Sequence, residues 1–150
     1  MIMNETDLHF FIDSAVNYFE EVTGEQAITG IPYLKGKEPV VLDYSGIIGI
    51  SGKRKGCVYI TTSSDMLKSL ANIILNDHNA TVETVKDLTG EIANTISGNV
   101  REAYGSSFMI SVPVVVEGHV KDIRLPEHVQ AFVIPITWKE HKSFLVVCLE

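Results

Sequence analysis

Between Thr81 and Tyr104 the chain reads TVETVKDLTGEIANTISGNVREAY, with no proline and with apolar residues recurring at helical spacing. At 3.6 residues per turn this predicts a helix of about six turns. On a wheel with Asp87 at zero, Glu91 falls at about 40° and Asn94 at about −20°, so all three share one narrow strip. Val85, Leu88, Ile92, Ile96 and Ala103 cluster between about 100° and 180° on the same wheel. One face is fit to bury; the other carries two carboxylates and an amide. Gly90 and Gly98 flank or share the polar strip. Each costs a helix roughly 1 kcal/mol relative to alanine, which implies close approach by something. Asn99, at about 120°, points towards the apolar side, where it is expected to satisfy a backbone group.

The flanking chain supplies both helices and strands. Leu8, Phe11, Ile12, Ala15, Val16 and Phe19 predict a first helix over Glu5 to Thr23, capped by Asn4 or Thr6 and stopped at Gly24. Ala27 to Lys37 is short and broken. A strand of nine or more residues follows, from Val40 through Ile50, with Gly46 and Gly49 marking a bulge or a close backbone contact. Next come a glycine-rich tip, SGKRKG, and a β-branched strand, CVYITTS, which together read as an antiparallel hairpin. Lys53, Arg54 and Lys55 at that tip are expected to be solvated. Ser63-Ser64-Asp65 opens a second helix to about Leu75. After the Thr81–Tyr104 helix the chain turns to strands at Phe108–Val116, Val129–Trp138 and Ser143–Leu149. Pro113 and Pro135 lie inside them, and the excursion from His119 to His128 connects two of them. The order α-β-β-α-α-β-β-β indicates an α+β fold with a largely antiparallel sheet packed with helices. The expectation is one domain over residues 1–150.

Composition narrows the function classes. The 150 residues carry a net charge of −7, which argues against a nucleic-acid partner because phosphate binding needs a basic field. No stretch of about 18 apolar residues occurs, so no membrane span is expected. The start MIMNETDLHFFIDSAV lacks the pattern of a signal peptide. Cys57 and Cys148 sit in apolar runs and are expected as free thiols in a reducing cytoplasm.

Few residues fit a familiar chemistry. His9, His78, His119, His128 and His141 show no metal-ligand spacing with each other or with the cysteines, so no metal site is expected. GISGKRKG lacks the phosphate-loop spacing and precedes a strand. There is no GxSxG elbow and no cysteine in an electropositive setting. The polar strip of the long helix remains. By itself it is compatible with a merely solvated face or with a working one.

Asp87-Leu88-Thr89-Gly90-Glu91-Ile92-Ala93-Asn94, continuing to Ser97-Gly98-Asn99, resembles the helix signature of the CheC/CheX/FliY phosphatases of bacterial chemotaxis. Gly46-Ile47-Ile48-Gly49-Ile50-Ser51-Gly52 with Gly56-Cys57-Val58-Tyr59-Ile60 is similar to that family's glycine-tipped hairpin. The order of elements also agrees from about residue 5 to 149. CheC proteins carry the signature twice; this chain carries it once, like the single-site CheX type.

The resemblance implies a CheX-like fold and a phosphatase acting on the aspartyl phosphate of a CheY-like response regulator. It implies that Asn94 orients the attacking water and that Glu91 pairs with the regulator's lysine. Asp87, Gly90 and Gly98 would support or admit the partner. It implies no cofactor in this chain, with Mg²⁺ held by the partner receiver, together with a cytoplasmic location and a homodimer through sheet edges. A non-catalytic module that binds a receiver or another signalling protein is the alternative. A small-molecule-binding domain stands third, since no convergent polar pocket is visible in the sequence.

Overall fold

In the computed structural model, which describes residues 3–119 and 123–150, the first helix α1 spans Glu5–Thr23. Asn4 caps it rather than Thr6: the Asn4 side chain accepts from Asp7 N and the Asp7 carboxylate accepts from Asn4 N, both at 2.9 Å. Gly24 closes it in the left-handed conformation at φ 77°. Two short strands follow, β1 (Ile28–Thr29) and β2 (Tyr33–Leu34), in the segment expected to be merely broken. The hairpin is β3 (Tyr44–Gly52) and β4 (Gly56–Thr62). Helices α2 (Ser64–Leu75) and α3 (Val82–Tyr104) are capped by the side chains of Ser63 and Thr81. Strands β5 (Phe108–Ile110), β6 (Val114–Glu117), β7 (Ala131–Trp138) and β8 (His141–Leu149) complete the described chain. Val120, Lys121 and Asp122 of the expected excursion lie outside the described residues, as do Met1 and Ile2.

All strand pairings are antiparallel, in the order β1-β7-β8-β4-β3-β5, with β2 also on β7 and β6 also on β3. The α+β expectation holds. Each outer edge is a strand broken in two, and a proline sits at each break. Pro135 has its carbonyl facing the β1/β2 side, where it accepts from Gly30 N at 2.9 Å. Its nitrogen faces the same side and has no proton to give, so the outer strand divides there.

Pro113 marks the other break, where a single expected strand over Phe108–Val116 becomes two. Ile50 pairs with Ile110 and Ile47 with Val114, so Ile48 and Gly49 face three residues, Ser111, Val112 and Pro113. This is a bulge of one extra residue. Ser111 bridges it: its N donates to Gly49 O at 2.9 Å and its Oγ accepts from Gly49 N at 2.8 Å.

Both faces of the sheet are covered, which is why the strands are apolar almost throughout. The helices bury Ile48, Ile50, Val58, Ile60, Ile134, Ile136, Leu145, Val147 and Leu149 on one face. On the other, Tyr59, Val133, Val146 and Cys148 lie beneath Val40, Val41, Leu125 and Val129. Val40 and Leu42 therefore do not begin β3. They belong to a segment laid over the second face, held by Tyr59 Oη donating to Val40 O at 2.9 Å and by Leu42 N donating to Thr61 Oγ1 at 2.7 Å. Cys57 and Cys148 are free and sit directly opposite each other across β4 and β8. Burial pushes the Cys57 thiol up to about 12, with a smaller contribution from Cys148.

The hairpin tip departs most from expectation. Lys53 and Lys55 are exposed, but Arg54 is buried. Its Nη1 and Nη2 donate to the two Asp7 carboxylate oxygens at 2.9 and 3.2 Å, and its Nε donates to Glu150 O at 2.8 Å. The Tyr104 hydroxyl also donates to Asp7. One ion pair thus ties the start of α1, the β3–β4 tip and the end of α3 together. Burial pushes the Asp7 carboxyl up, but the hydrogen bonds from Arg54, Tyr104 and Asn4 outweigh it and leave the group below its ordinary value of 3.8.

Arg54→Met is expected to lower the unfolding free energy by about 3–5 kcal/mol in denaturant melts, because it strands a buried carboxylate. A carboxyl depressed in the folded state stabilises above its unfolded value and loses that contribution as pH falls through the folded one. Wild type is therefore expected to be the more stable at neutral pH and to converge with Asp7→Asn as pH falls below about 3.8.

Candidate functional site

Helix α3 is seated on the sheet by small residues. Gly46 in β3 faces it, and a β-carbon there would lie 2.9 Å from Thr89 O and 3.0 Å from the Ala93 Cβ. Val115, the cross-strand partner of Gly46, sits beside Gly90 in the same way: a β-carbon on Gly90 would lie 3.3 Å from Val115 Cγ2 and 3.5 Å from Pro113 Cγ. The close approach implied by Gly90 is therefore made within the chain, by the edge strand. Gly98 differs, since nothing lies within 4 Å of a β-carbon placed there. Of the two helical glycines, only Gly98 leaves open surface.

The seat turns Asp87, Glu91 and Asn94 outward, all exposed. Together with Lys86 and Gly90 they form one wall of a shallow depression of about 520 Å³, and Val112, Pro113 and Val115 form the other. Asp87, Gly90, Glu91 and Asn94 are thus brought together, while Gly98 lies outside that lining. Val85, Leu88, Ile92 and Ile96 are buried as the wheel requires. Ala103 is exposed and does not join them. It borders a crevice between α1 and α3 with Asn99, Phe10 and Asp13, so Asn99 faces another helix.

Three features of the site have no signal at the helix itself. Val112 and Pro113 reach it through the bulge. Lys86 Nζ stands 3.8 Å from Glu117 Oε2 at the end of β6, joining helix and edge strand across the rim. Tyr18 approaches from α1: burial, with a smaller push from the Glu91 carboxylate, holds its hydroxyl protonated well above the usual range. A tyrosine at helical spacing in α1 reads as core, and it is buried, so only the packing of α1 on α3 shows its proximity to Glu91.

Among the described residues no group of three His, Cys, Asp or Glu side chains could hold a metal ion. His119 instead stands 2.7 Å from Asp43, and His141 stacks on Trp138. No helix among the described residues is long and apolar enough to cross a membrane. What the depression offers is a carboxylate and a neutral amide one turn apart on a firm helix. It is shallow and open to solvent.

Comparison with known proteins places this geometry. A family model described as chemotaxis phosphatase CheX matches residues 44–137, which include β3, β4, α2, α3 and the whole depression. A CheC-like superfamily protein from Shewanella sp. PV-4 is similar at TM-score 0.88 and 27% identity, over 99% of both chains. Chemotaxis protein CheX from Vibrio vulnificus is similar at 0.86 and 26%, over 97% of this chain and 99% of that one. The chain also shares its fold with CheX in the CheX–CheY–BeF3–Mg2+ complex of Borrelia burgdorferi, at 0.79 and 21%, over 95% and 97%. No curated protein sequence matches the chain.

The two glycines respond oppositely to a side chain. Gly98→Ala is expected to raise the unfolding free energy by about 0.5–1 kcal/mol, since the helix gains propensity and nothing is displaced. Gly90→Val is expected to lower it by about 1–3 kcal/mol by forcing α3 off the edge strand. Urea titrations of both variants check the contrast.

Proposed function

Because the chain belongs to the CheX family, we propose that it dephosphorylates the phosphorylated aspartate of a CheY-like response regulator. The observation that carries the reading is the exposed pairing of Glu91 and Asn94 on one wall of the depression. An acyl phosphate is hydrolysed by in-line attack of water, so the catalyst contributes positioning more than covalent chemistry. The Asn94 amide suits such positioning because it donates and accepts hydrogen bonds and stays neutral beside a phosphoryl group. It enters the receiver's cleft and orients the attacking water. Glu91, one turn away, pairs with the receiver's lysine and fixes the depth of insertion.

Asp87 stands a further turn back, where it supports docking. Gly98 leaves the surface beyond Asn94 low for the partner. The phosphoryl charge falls to the receiver's own Mg²⁺, so no cofactor is assigned to this chain. The acidic balance of −7 argues against a nucleic-acid partner. The site of action is the cytoplasm, where receivers work. The CheX–CheY pairing seen in the Borrelia complex supports a receiver of the same kind as partner here.

Asn94→Ala is expected to reduce receiver-dependent phosphate release about a hundredfold or more with an unchanged thermal melt. Equal rates for the two proteins overturn the role of Asn94. Binding of the phosphorylated receiver by wild type without any release converts the reading to a non-catalytic receiver-binding module.

A homodimer through a sheet edge belongs to the same reading. Ile28, Ile31, Tyr33 and Leu34 are exposed along the β1/β2 edge, and β5/β6 forms the second edge. Size-exclusion chromatography with light scattering at micromolar concentration is expected to give twice the chain mass. A clean monomer removes the dimer without touching the catalytic proposal.

A further inference from the structure

The wall opposite Glu91 and Asn94 is uneven in what it exposes. Pro113 and Val115 are half-buried, held against Gly90. Val112 is 79% exposed, the only large apolar side chain of the depression standing so far out. The extra residue of the β5–β6 bulge puts it there, where an unbroken pairing with β3 would have kept the edge flat. Its position is fixed: its carbonyl accepts from Ser111 Oγ at 3.0 Å, and that same Oγ accepts from Gly49 N. Val112 is therefore an apolar side chain on a rigid crest, facing the two polar side chains across a shallow floor. It has no packing role of its own.

We propose that Val112 is a specificity-determining residue of the receiver-docking surface, seating on an apolar patch that borders the phosphorylated aspartate's cleft. This rests on the reading that Glu91 and Asn94 enter that cleft. A body lowered onto those two side chains closes over the depression and meets the opposite rim, so docking and burial of Val112 are one event. The polar pair contributes little net affinity, because each group exchanges water for the receiver's own polar atoms. Desolvation of an aliphatic side chain has no such offset. Val112 thus selects receivers with an aliphatic or small apolar surface at the cleft's edge and disfavours those with a charge there.

The test is steady-state phosphate release from a CheY-like receiver kept phosphorylated by acetyl phosphate, with wild type, Val112→Ser and Val112→Leu. Binding of the beryllofluoride-loaded receiver is titrated alongside. Val112→Ser is expected to raise KM and Kd about tenfold. Its kcat is expected to stay within about twofold, because the reacting atoms are untouched. Val112→Leu, which keeps the apolar surface, restores both constants, and all three proteins melt alike.

Unchanged KM and Kd in Val112→Ser overturn the proposal while leaving the catalytic reading intact. A Val112→Ser protein that turns from dimer to monomer with unchanged KM also overturns it, assigning the valine to contact between copies. A wild type that binds the receiver but releases no phosphate removes the catalytic reading, and a tenfold loss of binding in Val112→Ser then still upholds the docking role. A wild type that neither binds nor releases overturns both.

Discussion

Everything the site can do depends on how closely α3 lies on β3. At Gly46 a methyl group would meet a helix carbonyl at 2.9 Å. That contact brings the Thr89–Ala93 turn onto the strand, and one turn of helix then carries the burial on its inner side and Glu91 and Asn94 on its outer side. Small residues on both partners, Gly46 below and Ala93 above, remove the space that side chains would otherwise hold open, and Gly90 does the same against the edge strand. The helix loses propensity at Gly90 and gains a fixed height against the edge strand. On the proposed reading, in which this pair enters a receiver's cleft, such a seat matters because misplacement by about 1 Å is enough to lose positional catalysis.

The same physics shapes the rim. A sheet edge left flat beside an exposed apolar row invites other strands. Here both edges are broken at prolines, and the breaks do different work. At Pro135 the missing proton divides β1 from β2 and leaves apolar side chains outward. At Pro113 the extra residue raises Val112 and packs the proline ring against Gly90, so one device ends the regular pairing and builds a wall of the depression.

The far end of α3 is anchored by charge. Asp7, Arg54 and Tyr104 come from three separate elements and satisfy one another away from water. A buried pair of this kind adds little net stability against an apolar substitute, but it leaves only one arrangement in which neither charge is stranded. It therefore fixes where α1 and the hairpin tip meet α3. With the glycine seat near the middle of the helix and this clamp at its end, the polar strip has one orientation.

Much of this was legible along the chain because it is local. Periodicity set out α1, α2 and α3, the stop at Gly24 and the start of α2 at Ser63-Ser64-Asp65 read directly, the cap of α1 was narrowed to Asn4 or Thr6, and the wheel separated Val85, Leu88, Ile92 and Ile96 from Asp87, Glu91 and Asn94. A three-residue spacing on a helix fixes relative direction whatever the helix packs on. Arg54 read as a solvated turn residue because its partner is Asp7, 47 positions away. Val40 and Leu42 read as strand because apolar character cannot tell a ladder from a segment laid over a sheet face. Gly90 read as room for a partner, yet its neighbour is Val115 of the same chain. The sequence by itself determined the amphipathic helix and the direction of its polar strip, since both follow from backbone geometry within a few turns. Only the tertiary structure decided what stands opposite that strip, because Val112 and Pro113 reach it through strand register, a long-range pairing that no local pattern encodes.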